Sequence, residues 1–346
     1  MNTVRERGEV IRRYILENLE DHPNEIARLT ADHFGCTRQA VHKHLQRLLA
    51  EGAISVHGAN KKKSYALVPL TRWSNTYPIG QGVTEDAVWL KDIAPFFAKY
   101  PVNVKAIWHY GFTEMFNNAI DHSGGSSIFV MLTKTASSTT IEISDDGVGI
   151  FNKIQSALNL MDKRHAVLEL AKGKFTTDPD NHSGEGIFFS SRMFDHFMIV
   201  SEDVCFTHQF NQQEDWIFQE GISRSGTAVR MELHNHTART TKKVFDKFTS
   251  DENYGFTKTV VPVKLMKYGD DNLVSRSQAK RLLARFDRFK IVILDFSDIT
   301  SIGQSFADEV FRVFQKKHPE IEIRHVHACD DIKKMIQRAK IAAAES

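Results

Sequence analysis

The 346-residue sequence predicts a multidomain α/β protein. Three observations predict it. The first 70 or so residues hold three stretches of helical periodicity followed by two short strand-like runs. A middle block, about 85–240, sets one strongly helical stretch beside several β-type runs. From about residue 258 strands alternate with helices, the pattern of a small α/β domain. The length agrees, since about 150 residues per domain gives two domains or three small ones.

Composition excludes several classes. No run of 18 or more apolar residues exists, which argues against a membrane span. The N-terminus, charged from Arg5 onward, has no apolar core of a secretory leader. Cys36, Cys205 and Cys329 lie far apart without a CxxC pair, against a disulfide scaffold or a cysteine-type zinc site. A reducing cytoplasm is the expected compartment. The net charge of +2 says nothing about partners, but its distribution does. Between Thr37 and Lys63 stand Arg38, Lys43, Arg47, Lys61, Lys62 and Lys63 against Glu51 alone, with His42, His44 and His57 beside them. Such a local basic face suits nucleic acid.

In the first block, Val10, Ile11, Tyr14, Ile15 and Leu19 recur at helical spacing, and Ile26, Leu29 and Phe34 suggest a second helix after His22-Pro23. After a turn at Gly35-Cys36, Thr37 can cap a third helix with Val41, His44, Leu45, Leu48 and Leu49 inward and Gly52 at its end. Ala53–Val56 and Ser64–Val68 read as two strands around a basic hairpin. Helix, helix, turn, helix and basic hairpin, over residues 1–68, resemble a winged helix-turn-helix domain. The resemblance implies double-stranded DNA as partner, with the third helix in the major groove presenting Thr37, Arg38, Gln39, His42, Lys43 and Arg47. The planar forks of Arg38 and Gln39 match guanine and adenine edges, and Lys61, Lys62 and Lys63 of the wing would meet phosphates. The alternative is a solvated helix face and charged hairpin in a protein-interaction module. Residues 69–84, rich in Pro, Gly, Ser and Asn, read as a linker or extended arm in which Trp73 and Tyr77 dock somewhere.

The middle block carries the chemistry. Ala106–Ile120 is helical and places Glu114 and Asn118 four apart on one face, with His122 one turn on. A carboxylate and an amide so placed can serve as base for a water and as a Mg²⁺ oxygen ligand. Ser127–Thr133 and Thr139–Ser144 read as strands, the second ending in Asp145-Asp146-Gly147-Val148-Gly149. An Asp before alternating glycines can accept from an exocyclic amine while the backbone approaches a planar base. A helix at about Ile154–Ala171 leads to Ser183-Gly184-Glu185-Gly186, just before an apparent helix Ile187–Met193 whose N-terminus suits phosphates. Gly226-Thr227 opens one more strand, ending at Leu233.

These pieces stand in the order of the N, G1, G2 and final Gly-Thr boxes of the GHKL ATPase superfamily, and the block at 85–240 resembles its ATP-binding domain. The resemblance implies an α/β sandwich holding ATP and Mg²⁺. Glu114 would activate a water or acceptor hydroxyl, and Asn118 would hold Mg²⁺, with His122 near the same site. Asp145 would bind the adenine amine, Gly147 and Gly149 would shape the adenine pocket, Gly184 and Gly186 would meet phosphates, and Thr227 would sit on the adenine side. The second glycine box departs from the family in having a single Gly-x-Gly, and Glu185 sets a negative charge beside it, for which Lys172 and Lys174 would compensate. The short lid resembles the anti-sigma-factor kinases. His109 lies inside the N-box helix and no phosphoacceptor hairpin precedes it, against a histidine autokinase.

In the last block, Val260–Leu265, Ile291–Phe296 and Ile321–Val326 read as strands, and Ser275–Phe286, Ser305–Phe314 and Asp330–Ala339 as helices. The run Asp295 to Val310 resembles the central segment of STAS-like domains, placed at 258–346. In such domains a serine at a helix start is a GHKL kinase substrate. Here that position is ambiguous: Gln304 occupies one candidate, with Ser305 adjacent and Ser301 upstream, and Ser305 can equally serve as a helix cap. The order of the three domains resembles a family of bacterial multidomain regulators. The leading expectation is an ATP-responsive, DNA-binding transcription regulator with weak ATPase activity. The alternatives are a serine protein kinase acting on a STAS-like domain and a nucleotide-gated scaffold. A protein partner through the C-terminal domain and a homodimer both remain open.

Overall fold

The computed structural model describes residues 2–58, 63–80, 82–176, 183–210, 215–219, 225–249, 255–266 and 273–344. The described residues form a mixed α/β molecule with three sheets among them. No helix among the described residues is long and apolar enough to cross a membrane.

Three helices, α1 (Asn2–Asn18), α2 (Ile26–Phe34) and α3 (Arg38–Ala50), precede an antiparallel pair, β1 (Ile54–His57) and β2 (Ser64–Leu67). Ile15, Leu19, Ile26, Val41, Leu45 and Tyr65 form a core separate from the rest of the chain. Gly35 ends α2 at φ +59, a left-handed cap that costs glycine no Cβ clash. Thr37 then caps α3, its hydroxyl accepting from the Ala40 amide at 3.2 Å.

Part of the stretch at 69–84 is built into the central sheet. Thr71–Pro78 forms β3, an edge strand paired with β4 (Ser127–Lys134) along eight residues. Tyr77 is buried and its hydroxyl donates to Asp92 at 2.7 Å, while Trp73 packs on the core. The polar composition that suggested a tether is that of an edge strand with one face to water.

The central sheet runs β3-β4-β5-β9-β6-β7-β8, every pairing antiparallel. Its other members are β5 (Ser138–Asp145), β6 (His196–Ser201), β7 (Val204–Gln209), β8 (Asp215–Gln219) and β9 (Thr227–His234). Alternation sends Ile128, Val130, Leu132, Ile141, Ile143, Val229, Met231 and Leu233 into one core, while Phe129 and Arg230 stay exposed. On the buried side lie α5 (Val102–His122), reached through the short α4 (Glu85–Val88), then α6 (Ile150–Leu158), α7 (Lys163–Lys172) and α8 (Gly186–Met193). The single helix predicted over 154–171 is broken into two, because Asn159 turns left-handed at φ 50 and Asp162 recaps the chain on the Arg164 amide.

After α9 (Thr241–Lys247) comes a parallel sheet, β10 (Lys258–Pro262), β11 (Ile291–Asp295) and β12 (Glu322–Val326), in that order. Helices α10 (Arg276–Leu283), α11 (Gln304–Asp308), α12 (Gln315–Lys317) and α13 (Asp330–Ala344) accompany it. Glu309–Phe314 widens into a π-helix between α11 and α12. The cores of this part and of the central sheet are continuous.

Candidate functional site

One cavity of about 330 Å³ opens where α5, the end of β5, α6, the turn after α7, the start of α8 and the start of β9 converge. That volume lies at the low end of small-ligand sites. Among the residues singled out from sequence, Glu114, Asn118, His122, Asp145, Gly184, Gly186 and Thr227 all line it. Helix α5 supplies the first three because its buried residues, Ile107, Trp108, Phe112, Met115, Phe116 and Ala119, fix its roll on the sheet.

Asp145 sits at the end of β5 and is locked by backbone amides. Its Oδ1 accepts from Gly147 at 2.9 Å and Thr227 at 3.2 Å. Burial raises its pKa, and these two amides pull the other way. The Thr227 hydroxyl accepts from the Ile150 amide at 2.9 Å, tying β9 to the start of α6. A Cβ at Gly226 would overlap the Asp145 carbonyl, so a glycine lets the two strand ends meet.

Gly147 and Gly149 do not line the cavity. A Cβ on Gly147 would overlap Ser123 at the end of α5, and one on Gly149, at φ +83, would approach the Ser201 hydroxyl. At both positions glycine lets the neighbouring segments pack closely. Gly186 does line the cavity, yet a Cβ there would overlap the Glu114 carboxylate, which lies against the start of α8. Gly184 makes room for the backbone of Phe175. The Glu185 side chain does not cap α8, and the first residues of that helix, Gly186 and Ile187, line the cavity. Burial raises the Glu185 pKa and Lys174 opposes it.

Lys174 is also outside the cavity. Its ammonium donates to the Arg288 carbonyl at 3.0 Å and stands over the Phe256 and Phe289 rings. Lys172, the other expected compensating cation, is fully buried and donates to Glu169 at 2.7 Å. Both are used by the contact with the C-terminal part. The cation that does line the cavity is Lys153 on α6, the single Lys or Arg among the lining residues described. It is half-buried and donates to the His122 carbonyl at 2.9 Å. Nothing in the sequence marks Lys153, because its position follows from the turn of α6 alone. Asp146 was also unmarked. It takes the Ser126 and Ser127 amides at 2.6 and 3.0 Å and both their hydroxyls, fixing the start of β4. The Ser126 hydroxyl leads the donors that hold its carboxyl well below the usual range.

On α3, Thr37, Arg38, Gln39, His42, Lys43 and Arg47 are exposed, opposite buried Val41, Leu45 and Leu48. Arg47 pairs with Glu51 at 2.7 Å. Lys63 is exposed, and Lys61 and Lys62 lie outside the described residues. Gln304 and Ser305 are exposed at the start of α11, and Ser301 is exposed before it.

Residues 278–333 match the model of a family described as a STAS-like domain of unknown function (DUF4325). The match covers α10 through the start of α13, so the C-terminal part is STAS-like. No curated protein matches the chain.

Proposed function

We propose that the cavity binds adenine nucleotide with Mg²⁺ and that the chain is an ATP-responsive, DNA-binding regulator. The observation that carries this reading is the convergence of Glu114, Asn118, His122, Asp145, Gly184, Gly186 and Thr227, scattered over more than 110 residues of sequence, on one cavity. The donor set fits the ligand. Asp145 has Oδ1 committed to two amides, which leaves Oδ2 to accept from an exocyclic amine. Lys153 suits phosphate oxygens, and Gly184 and Gly186 line the cavity beside the start of α8. Among the described residues no cluster of three or more His, Cys, Asp or Glu could hold a metal unaided. Mg²⁺ fits this, since it commonly takes one or two protein oxygens together with substrate phosphates, and Asn118 offers such an oxygen. Bound there, the ion would neutralise phosphate charge. Glu114 would then orient and deprotonate the attacking hydroxyl of a water in slow hydrolysis.

The resemblance of residues 1–68 to a winged helix supports DNA as the partner, with the exposed basic face of α3 toward the duplex. A second reading, phosphoryl transfer to a STAS-like serine, is favoured by one observation, the exposure of Ser301 and Ser305 around the start of α11. Calorimetric titration with Mg-ATP tests the first claim. Absence of binding overturns it. Incubation with γ-labelled ATP separates the rest, because labelled protein supports the kinase and free phosphate the regulator with hydrolysis.

A further inference from the structure

The cavity wall formed by Phe175 and Thr176 is held from outside the central sheet. Arg285 follows α10, within the STAS-like segment, and reaches across to it. Its Nη1 donates to the Glu169 carboxylate on α7 at 2.7 Å. Its Nη2 donates to the carbonyls of Gly173 at 3.0 Å and Lys174 at 2.5 Å. The guanidinium stands 5.1 Å from the centre of the Phe175 ring, and that ring lines the cavity. The Phe175 amide in turn donates to the Gly184 carbonyl at 3.1 Å, so the same turn positions the approach to α8.

Neighbouring bonds repeat the arrangement. Arg288 donates to the Lys174 carbonyl at 2.6 Å, and Lys174 returns a bond to the Arg288 carbonyl. Lys172 donates to the carbonyls of Ala284 and Arg281 at 2.9 and 3.2 Å. Thr259 on β10 donates to the Lys172 carbonyl at 2.7 Å. Arg285 itself takes a left-handed φ of 64, a conformation that costs a non-glycine residue and persists where the surroundings fix it. Two of the three Arg285 acceptors are consecutive carbonyls of the turn that leads into Phe175 and Thr176, so this interdomain bond bears directly on the cavity wall.

We infer that Arg285 is a positioning residue for the nucleotide cavity, by which the STAS-like domain sets the cavity's affinity for Mg-ATP. The inference rests on the nucleotide reading above. A ligand seated against Phe175 and Thr176 finds a turn already ordered by Arg285, so less ordering entropy is lost on binding. Linkage makes the effect reciprocal: bound nucleotide strengthens the hold between the turn and the STAS-like domain by the same factor.

The test uses the full chain as parent, Arg285→Met, Arg285→Lys and Arg324→Met. Arg324 pairs only with exposed Glu322 on β12 and serves as a control in the same domain. Mg-ATP affinity is measured by calorimetry, and amide exchange over 173–176 by mass spectrometry, both well below the melting temperature. Arg285→Met is expected to weaken Mg-ATP binding about tenfold, within the usual span of coupling between sites. Exchange over 173–176 should rise, and Arg324→Met should change neither. Arg285→Lys, with one ammonium for three acceptors, should fall between. If Arg285→Met does not fold, Arg285→Lys decides, and parental affinity in it overturns the inference. The inference also falls if exchange rises while affinity stays, or if Arg324→Met weakens binding as much. In those cases the nucleotide reading survives. A parent that binds no Mg-ATP removes both.

Discussion

Replacing Asp145 by asparagine is the sharpest probe of what the cavity recognises. The structure separates the two oxygens of this carboxylate. Oδ1 accepts from the Gly147 and Thr227 amides, and those bonds close the joint between β5 and β9. Asp145→Ala would leave both amides without an acceptor and so mix folding with binding. Asp145→Asn keeps a carbonyl oxygen for them and puts an NH₂ where Oδ2 stood. A donor then faces the exocyclic amine of adenine, itself a donor. The lost hydrogen bond to a charged acceptor is worth about 1.5–3 kcal/mol. At about 1.4 kcal/mol per decade, ATP should bind roughly 10–150-fold more weakly. Inosine triphosphate supplies the second arm, since it carries a carbonyl at the amine position and the new NH₂ can donate to it. The parent should prefer ATP, and the variant should lose or reverse that preference with little change in melting temperature. Calorimetric titration of both nucleotides into both proteins measures this. An unchanged ATP-to-ITP ratio in Asp145→Asn would refute the adenine assignment.

Glu114→Gln should leave Mg-ATP bound while slowing phosphate release by on the order of 10²–10⁴-fold, read in a single-turnover assay. Arg38→Ala and Gln39→Ala should each cost roughly 1–3 kcal/mol on a specific duplex, whereas Lys63→Ala should weaken all duplexes alike and flatten the salt slope by about 0.9 per lost phosphate contact. Fluorescence anisotropy over several salt concentrations distinguishes these patterns. The same titration with and without Mg-ATP should show a shift in DNA affinity, and indifference to ATP would sink the coupling. Asp195 gives a pH prediction. Burial alone would raise it, but His234 and Arg239 hold it at about 2, so its stabilisation is present above the ordinary Asp range and is lost as pH falls toward 2. Asp195→Asn should flatten the decline in unfolding free energy between about pH 4 and 2 by roughly 2 kcal/mol, measured by denaturant titration.

What the sequence made legible followed residue chemistry with a short-range pattern. Glu114, Asn118 and His122 share a helix face by spacing, and Thr37 caps its helix by residue type. What it hid depended on partners distant in sequence. The hairpin β6–β7 turns through Glu202-Asp203, with Glu202 at φ +52, and no glycine or asparagine announces it. There the Asn152 amide and the Lys163 ammonium bond the Glu202 carboxylate and hold the turn. Lys172 and Lys174 read as free cations near phosphates because composition gives charge but not direction. Their ammonium groups donate to backbone carbonyls of the C-terminal part, and Lys174 also counters the burial-raised pKa of Glu185. The sheet pairing of β3, expected only as a linker or extended arm, was hidden for a similar reason. Its register is set by β4, 50-odd residues on, and not by any apolar alternation of its own.

That edge strand changes how a nucleotide signal would have to reach DNA. A tether of 16 residues would let the two parts move independently, and coupling through it would be weak. Instead only residues 68–70 separate β2 from β3. Val68 donates to the Ala53 carbonyl and Leu70 to the Lys134 carbonyl, so both ends of that short connection are hydrogen-bonded. Ala136, in the β4–β5 turn, packs on the core of the three-helix unit. The N-terminal unit therefore rides on the edge of the same sheet whose strand β5 carries Asp145. A shift of that sheet edge would therefore meet no long unbonded segment before the β1–β2 pair. On the other side Arg285 ties the cavity wall to the STAS-like domain. The cavity walls are hydrogen-bonded to both flanking parts, and on the proposed reading a nucleotide would bias either part only as far as it binds two arrangements of these walls with different affinity.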